Sequence, residues 1–271
     1  AGPAHAVMPA RRTSNPSGAP WRWALAGLLL GLLPTLAVQA PARWLASAVQ
    51  RASQGQLVLA HAQGTLWNGS ALLQLTGGSG SSDALTLPGT VHWRLRPAWE
   101  GMHAELRADC CTPAPVRLAV ALGWGSARVR VDDNQSRWPA ALLAGLGTPW
   151  NTVQLQGQLA LSTTGLTLAW AHGRTEVDGQ LQLDLLGMSS RLSTLHPIGS
   201  YRVSLHGGEA TRLTLTTLDG ALRLSGSGQW VGQRLRFTGE ATAAPGSEAV
   251  LANLLNIIGR RSGAHSVITI G

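Results

Sequence analysis

The sequence predicts a mainly β protein: a single N-terminal transmembrane helix followed by a curved antiparallel β-sheet domain with few short helices. Three observations lead there. Residues 23–38 form one uncharged apolar run. Beyond residue 52, segment after segment alternates apolar and polar side chains with a period of two, the pattern of strands with one wet and one buried face. Glycine-bearing turn signals separate these segments, and the absence of strand–helix–strand alternation argues against a doubly wound parallel fold.

Taken in order, residues 1–20 are rich in Ala, Pro, Ser and Gly and read as a disordered cytoplasmic tail. Residues 21–40 are the expected transmembrane helix. The run is apolar all round, close to the ~20 residues a bilayer requires, with Trp21, Trp23 and Trp44 as interfacial anchors and Pro34 as a kink. Arg11, Arg12 and Arg22 precede the run, so the positive-inside rule keeps the N-terminus in the cytoplasm and exports residues 41–271. A cleavable signal peptide is the rival, since Val38-Gln39-Ala40 fits a cleavage site. Pro41 after the scissile bond argues for retention.

A helix over 42–52 leads off the membrane. The strands follow. Val91, Trp93 and Leu95 alternate with His92, Arg94 and Arg96. Val153, Leu155, Leu159 and Leu161 alternate with Gln154, Gln156 and Gln158, and Leu181, Leu183 and Leu185 with Gln180, Gln182 and Asp184. Val203/Leu205, Leu213/Leu215, Leu222/Leu224 and Leu235/Phe237 repeat the pattern. Turns are expected at 163–165, 177–179, 218–220 and 231–233. Short helices are expected over 138–146 and, with Ser247 as N-cap and Gly259 as terminator, over 247–258. Arg260 and Arg261 follow where the helix dipole favours cations. So few helices leave much of a Leu/Val face to cover. Either the sheet curls over itself, or the face forms a groove open to a lipid tail or a partner strand.

The chain carries a formal net charge of +8 without a single Lys, and its charged residues make up only 13 %. The arginines are spread singly along the strands apart from Arg11-Arg12 and Arg260-Arg261, not gathered in an aromatic-laced stripe, which argues against nucleic acid. Cys110 and Cys111 are neighbours without zinc-ligand spacing. A vicinal disulfide, two free thiols and an intermolecular bond are the outcomes open to them. The sequence holds no nucleophile elbow, zinc-protease motif, phosphate loop or dinucleotide fingerprint. His92 and His206 sit on wet strand faces, and Asp132-Asp133 reads as an acidic turn. No enzymatic activity, cofactor or metal site is expected.

Particular residues add a resemblance. Gly64-Thr-Leu-Trp-Asn-Gly69 and then Leu87-Pro-Gly-Thr-Val-His-Trp-Arg-Leu95 resemble the type II secretion system protein N family. So do the runs 224–241 and 243–246 and the tail Leu254-Leu-Asn-Ile-Ile-Gly-Arg-Arg261. The resemblance covers the chain from the membrane segment to the C-terminus. It implies a single-pass inner-membrane component of the machinery that exports folded proteins from the periplasm across the outer membrane, with the β domain periplasmic, no catalysis, and other secretion subunits as partners. The family-motif residues Gly64, Trp67, Gly69, Trp93, Gly259, Arg260 and Arg261 are expected to be structural, with Trp67 anchoring a tight hairpin and Trp93 filling the apolar face. Lipid stays open as a second partner, and the sequence sets no oligomeric state.

Overall fold

A computed structural model describes residues 21–78, 80–81, 83–148, 150–171, 174–231, 234–262 and 265–271. The chain divides into two compact units, Ala1–Ala40 and Pro41–Gly271. The expected tail, 1–20, and the turn residues 232–233 lie outside the described residues.

In the first unit, helix α1 spans Trp21–Val38, 18 residues, with its leucines exposed. Pro34 has no N–H to give the helix ladder, and the Thr35 hydroxyl donates to the Gly31 carbonyl at 2.8 Å. Residues 21–40 are the expected transmembrane span; the helix found there covers 18 of them, and among the described residues no helix is long and apolar enough to cross a membrane. Gln39 and Ala40 fall outside α1, and 18 residues at 1.5 Å each reach about 27 Å, against a hydrocarbon core of about 30 Å.

The second unit opens with helix α2 (Ala42–Ala52) and continues as one sheet. Its first strands are β1 (Leu57–Gly64), β2 (Asn68–Thr76), β3 (Ala84–Thr86), β4 (Val91–Ala98), β5 (Gly101–Ala108), β6 (Val116–Gly123), β7 (Ser126–Val131) and β8 (Asn134–Pro139). After a 3₁₀ helix (Ala140–Leu146) and one turn of helix, α3 (Trp150–Val153), come the two longest strands, β9 (Gln156–Ala171) and β10 (Arg174–Ser189). β11 (Gly199–His206), β12 (Arg212–Gly220), β13 (Leu222–Val231), β14 (Arg234–Ala243), helix α4 (Glu248–Ile258), β15 (Arg260–Ser262) and β16 (His265–Ile270) complete it.

All pairings are antiparallel, in the order β1-β2-β4-β5-β6-β7-β9-β10-β11-β12-β13-β14-β16-β15, with β3 on β2 and β8 on β9. The mainly β, antiparallel, helix-poor architecture therefore follows the alternation. Three local expectations do not hold. Residues 163–165 and 177–179 are not hairpin turns but bulges inside β9 and β10, where Gly165 and Gly179 take positive φ (+57° and +85°). Val153 belongs to α3, not a strand. Of 138–146, Trp138 is in β8 and only Ala140–Leu146 is helical, as 3₁₀.

The sheet does not close on itself; helices cover much of its apolar face. Ala42 and Leu45 of α2 pack with Ala71, Trp93 and Leu59. Leu142 of the 3₁₀ helix packs with Leu87, Ala108 and Cys111. Leu251, Leu254 and Leu255 of α4, all within 2 % of full burial, close over Leu159, Tyr201, Leu222 and Ala241. Between these caps the face stays half-open, at Leu118, Val120, Val129 and Leu168.

Candidate interaction surface

The first part of the family motif is one structural piece. Gly64 turns the chain at φ +85°, and a Cβ there would lie 2.6 Å from the Asn68 carbonyl. β2 carries Gly69 directly opposite Trp93 of β4. The indole lies on that glycine, where a Cβ would meet its Cζ2 at 2.5 Å. Trp93 is buried, and its Nε1 donates to the carbonyls of Leu66 (3.1 Å) and Thr65 (3.3 Å), while the Trp67 carbonyl accepts from the Leu95 amide at 2.6 Å. Residues two dozen apart in sequence thus lock one hairpin to the next strand.

Gly259, Arg260 and Arg261 lie at the other end of the strand order and form no common site with them. Gly259 ends α4 in extended backbone (φ −168°), not in a left-handed cap. Its missing side chain makes room for the Val267 carbonyl, which a Cβ would meet at 2.3 Å. Arg260 and Arg261 belong to β15, opposite Val267 and Ser266, so they start a strand rather than cap the helix. Ser247 sits at the N-cap position without a side-chain cap, and the Glu248 carboxylate accepts the Gly246 amide instead, at 2.9 Å.

The arginines are scattered in sequence but gathered in space. On the polar face of β4–β7, register places Arg94, Glu105 and Arg117 in one row, and Arg96, His103 and Arg130 in the next. Arg107 and Arg128 flank these rows, and all six arginines are exposed. Glu105 alone stands among them, 3.4 Å from Arg117 and 4.0 Å from Arg94. The signal was readable as arginine at every second position, 94/96 and 128/130. What one strand's alternation could not show was that neighbouring strands align these pairs.

The C-terminal half is different. Arg202 meets Asp184 across β10–β11 through two hydrogen bonds, 2.7 and 2.8 Å. The guanidinium holds the Asp184 carboxyl below the usual carboxylate range despite the opposing effect of burial, and Gln182 adds a hydrogen bond. Tyr201 is buried beside this pair's strand and donates to the Leu222 carbonyl at 3.0 Å, and burial pushes its phenol well up.

Cys110 and Cys111 are joined to each other. Their turn lines one side of a groove of about 600 Å³ that Arg137, Leu161, Ser162, Gln182 and Asp184 also border. The Asp132-Asp133 pair stands at the break between β7 and β8, where the Asp133 carboxylate accepts the Gly165 amide at 2.7 Å and the Asp132 carbonyl accepts the Thr163 hydroxyl at 3.1 Å. Its visible work is to pin the β9 bulge. His92 lies 3.4 Å from Asp109, and His206 is exposed. Among the described residues no three His, Cys, Asp or Glu side chains gather within reach of one metal ion.

A family model described as type II secretion system (T2SS), protein N, matches residues 55–268, from just before the first strand of the sheet into its last. Comparison with curated proteins and with solved structures gives no match.

Proposed function

We propose, from the premise that this chain belongs to the type II secretion system protein N family, that it acts in the secretion machinery as a non-enzymatic scaffold, through contacts between its sheet domain and other secretion subunits. The match over residues 55–268 carries this reading, because it embraces nearly the whole sheet and not a single short motif. The chemistry of the surface agrees with it. Trp93, Gly64, Gly69 and Gly259 are occupied with holding strands together, and the most highly charged exposed feature among the described residues is the arginine-rich face of β4–β7, suited to an acidic partner surface.

In this reading the chain is held at the inner membrane with its N-terminus cytoplasmic and its sheet domain periplasmic. Helix α1 is the element available for that attachment, since its exposed leucines have no favourable place in water. Being short of a full span, it would rely on the tryptophans at its start and on local bilayer thinning. The half-open apolar face supports a second reading, an envelope lipid-handling protein, in which Leu118, Val120, Val129 and Leu168 would line a groove for acyl chains.

Deleting the gene in a strain that secretes through this machinery, then restoring the wild-type chain, tests the first reading. Exoprotein is expected to build up in the periplasm of the deletion strain, with secretion subunits co-purifying with the restored chain. Normal secretion together with no co-purifying subunit overturns it. Lipid carried by the purified chain in native mass spectrometry would favour the second.

A further inference from the structure

Antiparallel register gathers several hairpin tips at one end of the strands. Ala98, Gly101, Ala121, Arg128, Ala169 and Glu176 form one continuous row across β4, β5, β6, β7, β9 and β10. Just beyond that row stand Trp99, in the β4–β5 turn, and Leu122 and Trp124, at the β6–β7 turn. They are 105 %, 72 % and 106 % exposed. Trp170, 41 % exposed, lies one residue past the same row on β9, and Trp230, 39 % exposed, ends β13 at the same end of the sheet, set back by a few residues.

A tryptophan fully in water at the tip of a tight turn does nothing for the fold. Neither Trp99 nor Trp124 belongs to any of the three packed clusters. Each tip also carries a cation on the strand behind it, Arg96 for the first and Arg128 for the second, and among the described residues neither is in an ion pair. Glu100 is the lone carboxylate on these two tips.

We propose that this rim is a membrane-surface contact, in which Trp99, Leu122 and Trp124 enter the headgroup zone of an anionic phospholipid bilayer while Arg96 and Arg128 meet its phosphates. Indole, amphipathic and broad, concentrates at the bilayer interface, and arginine just behind it matches the negative surface. The geometry favours lipid over a protein partner. A protein hot spot packs its aromatics together in one desolvated pocket. Here they stand singly, on tips two strands apart and so about 10 Å from one another, each free to enter a fluid surface. The contact does not involve α1; it takes Arg96 and Arg128 from the edge of the β4–β7 face that the secretion reading offers to a partner, and it adds a second membrane-facing element to whatever holds the N-terminus.

The test uses the full-length chain reconstituted in vesicles of phosphatidylethanolamine and phosphatidylglycerol, with a photo-crosslinking residue in place of Trp99, Trp124 or, as a control, Leu218. Leu218 is also exposed (44 %) but lies toward the opposite end of β12. Lipid adducts at 99 and 124 are expected to exceed those at 218 about tenfold. They should fall severalfold in vesicles of phosphatidylcholine alone, in 1 M salt, and in the Arg96→Glu, Arg128→Glu double variant. Equal lipid yields at all three positions, high or low, overturn the proposal. So does capture of a secretion subunit in place of lipid at 99 and 124 when the same variants are irradiated in intact envelopes, an outcome that would leave the secretion reading standing.

Discussion

The two halves of the sheet solve the same packing problem in different ways. In the half built from β1–β7, Trp93 sits on Gly69 and under α2, and both the glycine and the carbonyls that hold its indole come from one hairpin. In the half built from β9–β16, Phe237 and Tyr201, the sole Phe and Tyr of the chain, take the corresponding places. There Gly226 and Gly239 clear the space, since a Cβ on either would meet the Phe237 ring at 2.4 and 2.9 Å, and α4 closes the core from above. The polar faces diverge further. β4–β7 display six arginines against Glu105. Along β10–β14, Arg174, Arg202, Arg212, Arg223, Arg234 and Arg236 stand against Glu176, Asp178, Asp184, Asp219 and Glu240. One half is close to neutral along these strands, six arginines against five carboxylates. The other keeps an unneutralised surface and projecting tryptophans, the kind of surface that function maintains at the expense of solubility.

The largest expected effect comes from Trp93→Ala, which removes a buried indole and should cost about 3–5 kcal/mol. Hydrogen exchange is the sharper measure: amides of β1–β5 should lose protection while those of β10–β14 keep theirs. Loss of protection across the whole sheet would show one cooperative unit and break the comparison. Leu255→Ala, in the fully buried seam of α4, should cost about 3 kcal/mol in urea unfolding, with the reverse pattern of exposed amides.

Gly179→Ala tests the joint between the halves. Its φ is +85°, and a Cβ would stand 2.3 Å from the Gly165 carbonyl oxygen. Strain of about 2 kcal/mol is expected, read as a drop in thermal midpoint, with weakened protection reaching β7 as well as β10 and β11, because β9 pairs with β7 on one side and β10 on the other. An alanine tolerated there without loss would mean that the bulge is not what fits the two halves together.

That joint also marks where sequence reading stopped. Alternation identified the strands, since burial on one face forces period two whatever the topology. It could not distinguish a glycine that ends a strand from one that bulges it. Thr163-Thr164-Gly165 and Val177-Asp178-Gly179 have the composition of turns, and only the register shift between the pairs Asp178–Thr167 and Gln180–Thr164 across β9 and β10 makes them bulges. Val153 and Leu155 fit the strand pattern, yet four residues are too few for periodicity to separate strand from helix. Trp93 was readable as a core residue because its neighbours alternate. Trp99 and Trp124 were not readable as surface features, because a turn has no period and exposure there depends on what lies beyond it. The arginine face shares that limit, as each strand shows two positions and only the register sums them.

The smallest effect bears on the charge contrast. Asp184 is mostly shielded and Arg202 partly exposed (17 % and 39 % of their side chains), so their two-pronged pair survives solvent screening better than Glu105 and Arg117, at 36 % and 63 %. Asp184→Asn should cost about 1 kcal/mol at neutral pH, and Glu105→Gln close to nothing. The pH dependence has a definite sign. Arg202 holds the Asp184 carboxyl below the usual carboxylate range, so the folded chain releases this proton more readily than the unfolded one. The pair therefore stabilises the fold fully at neutral pH and down to the ordinary carboxylate range. Its contribution is lost as the pH falls further, through the lowered value. Urea midpoints of wild type and Asp184→Asn should run parallel from neutral pH to that range and converge below it. If Glu105→Gln instead raised stability, the carboxylate would not have been offsetting repulsion among the arginines, and the β4–β7 face would not be the self-repelling surface that its charges describe.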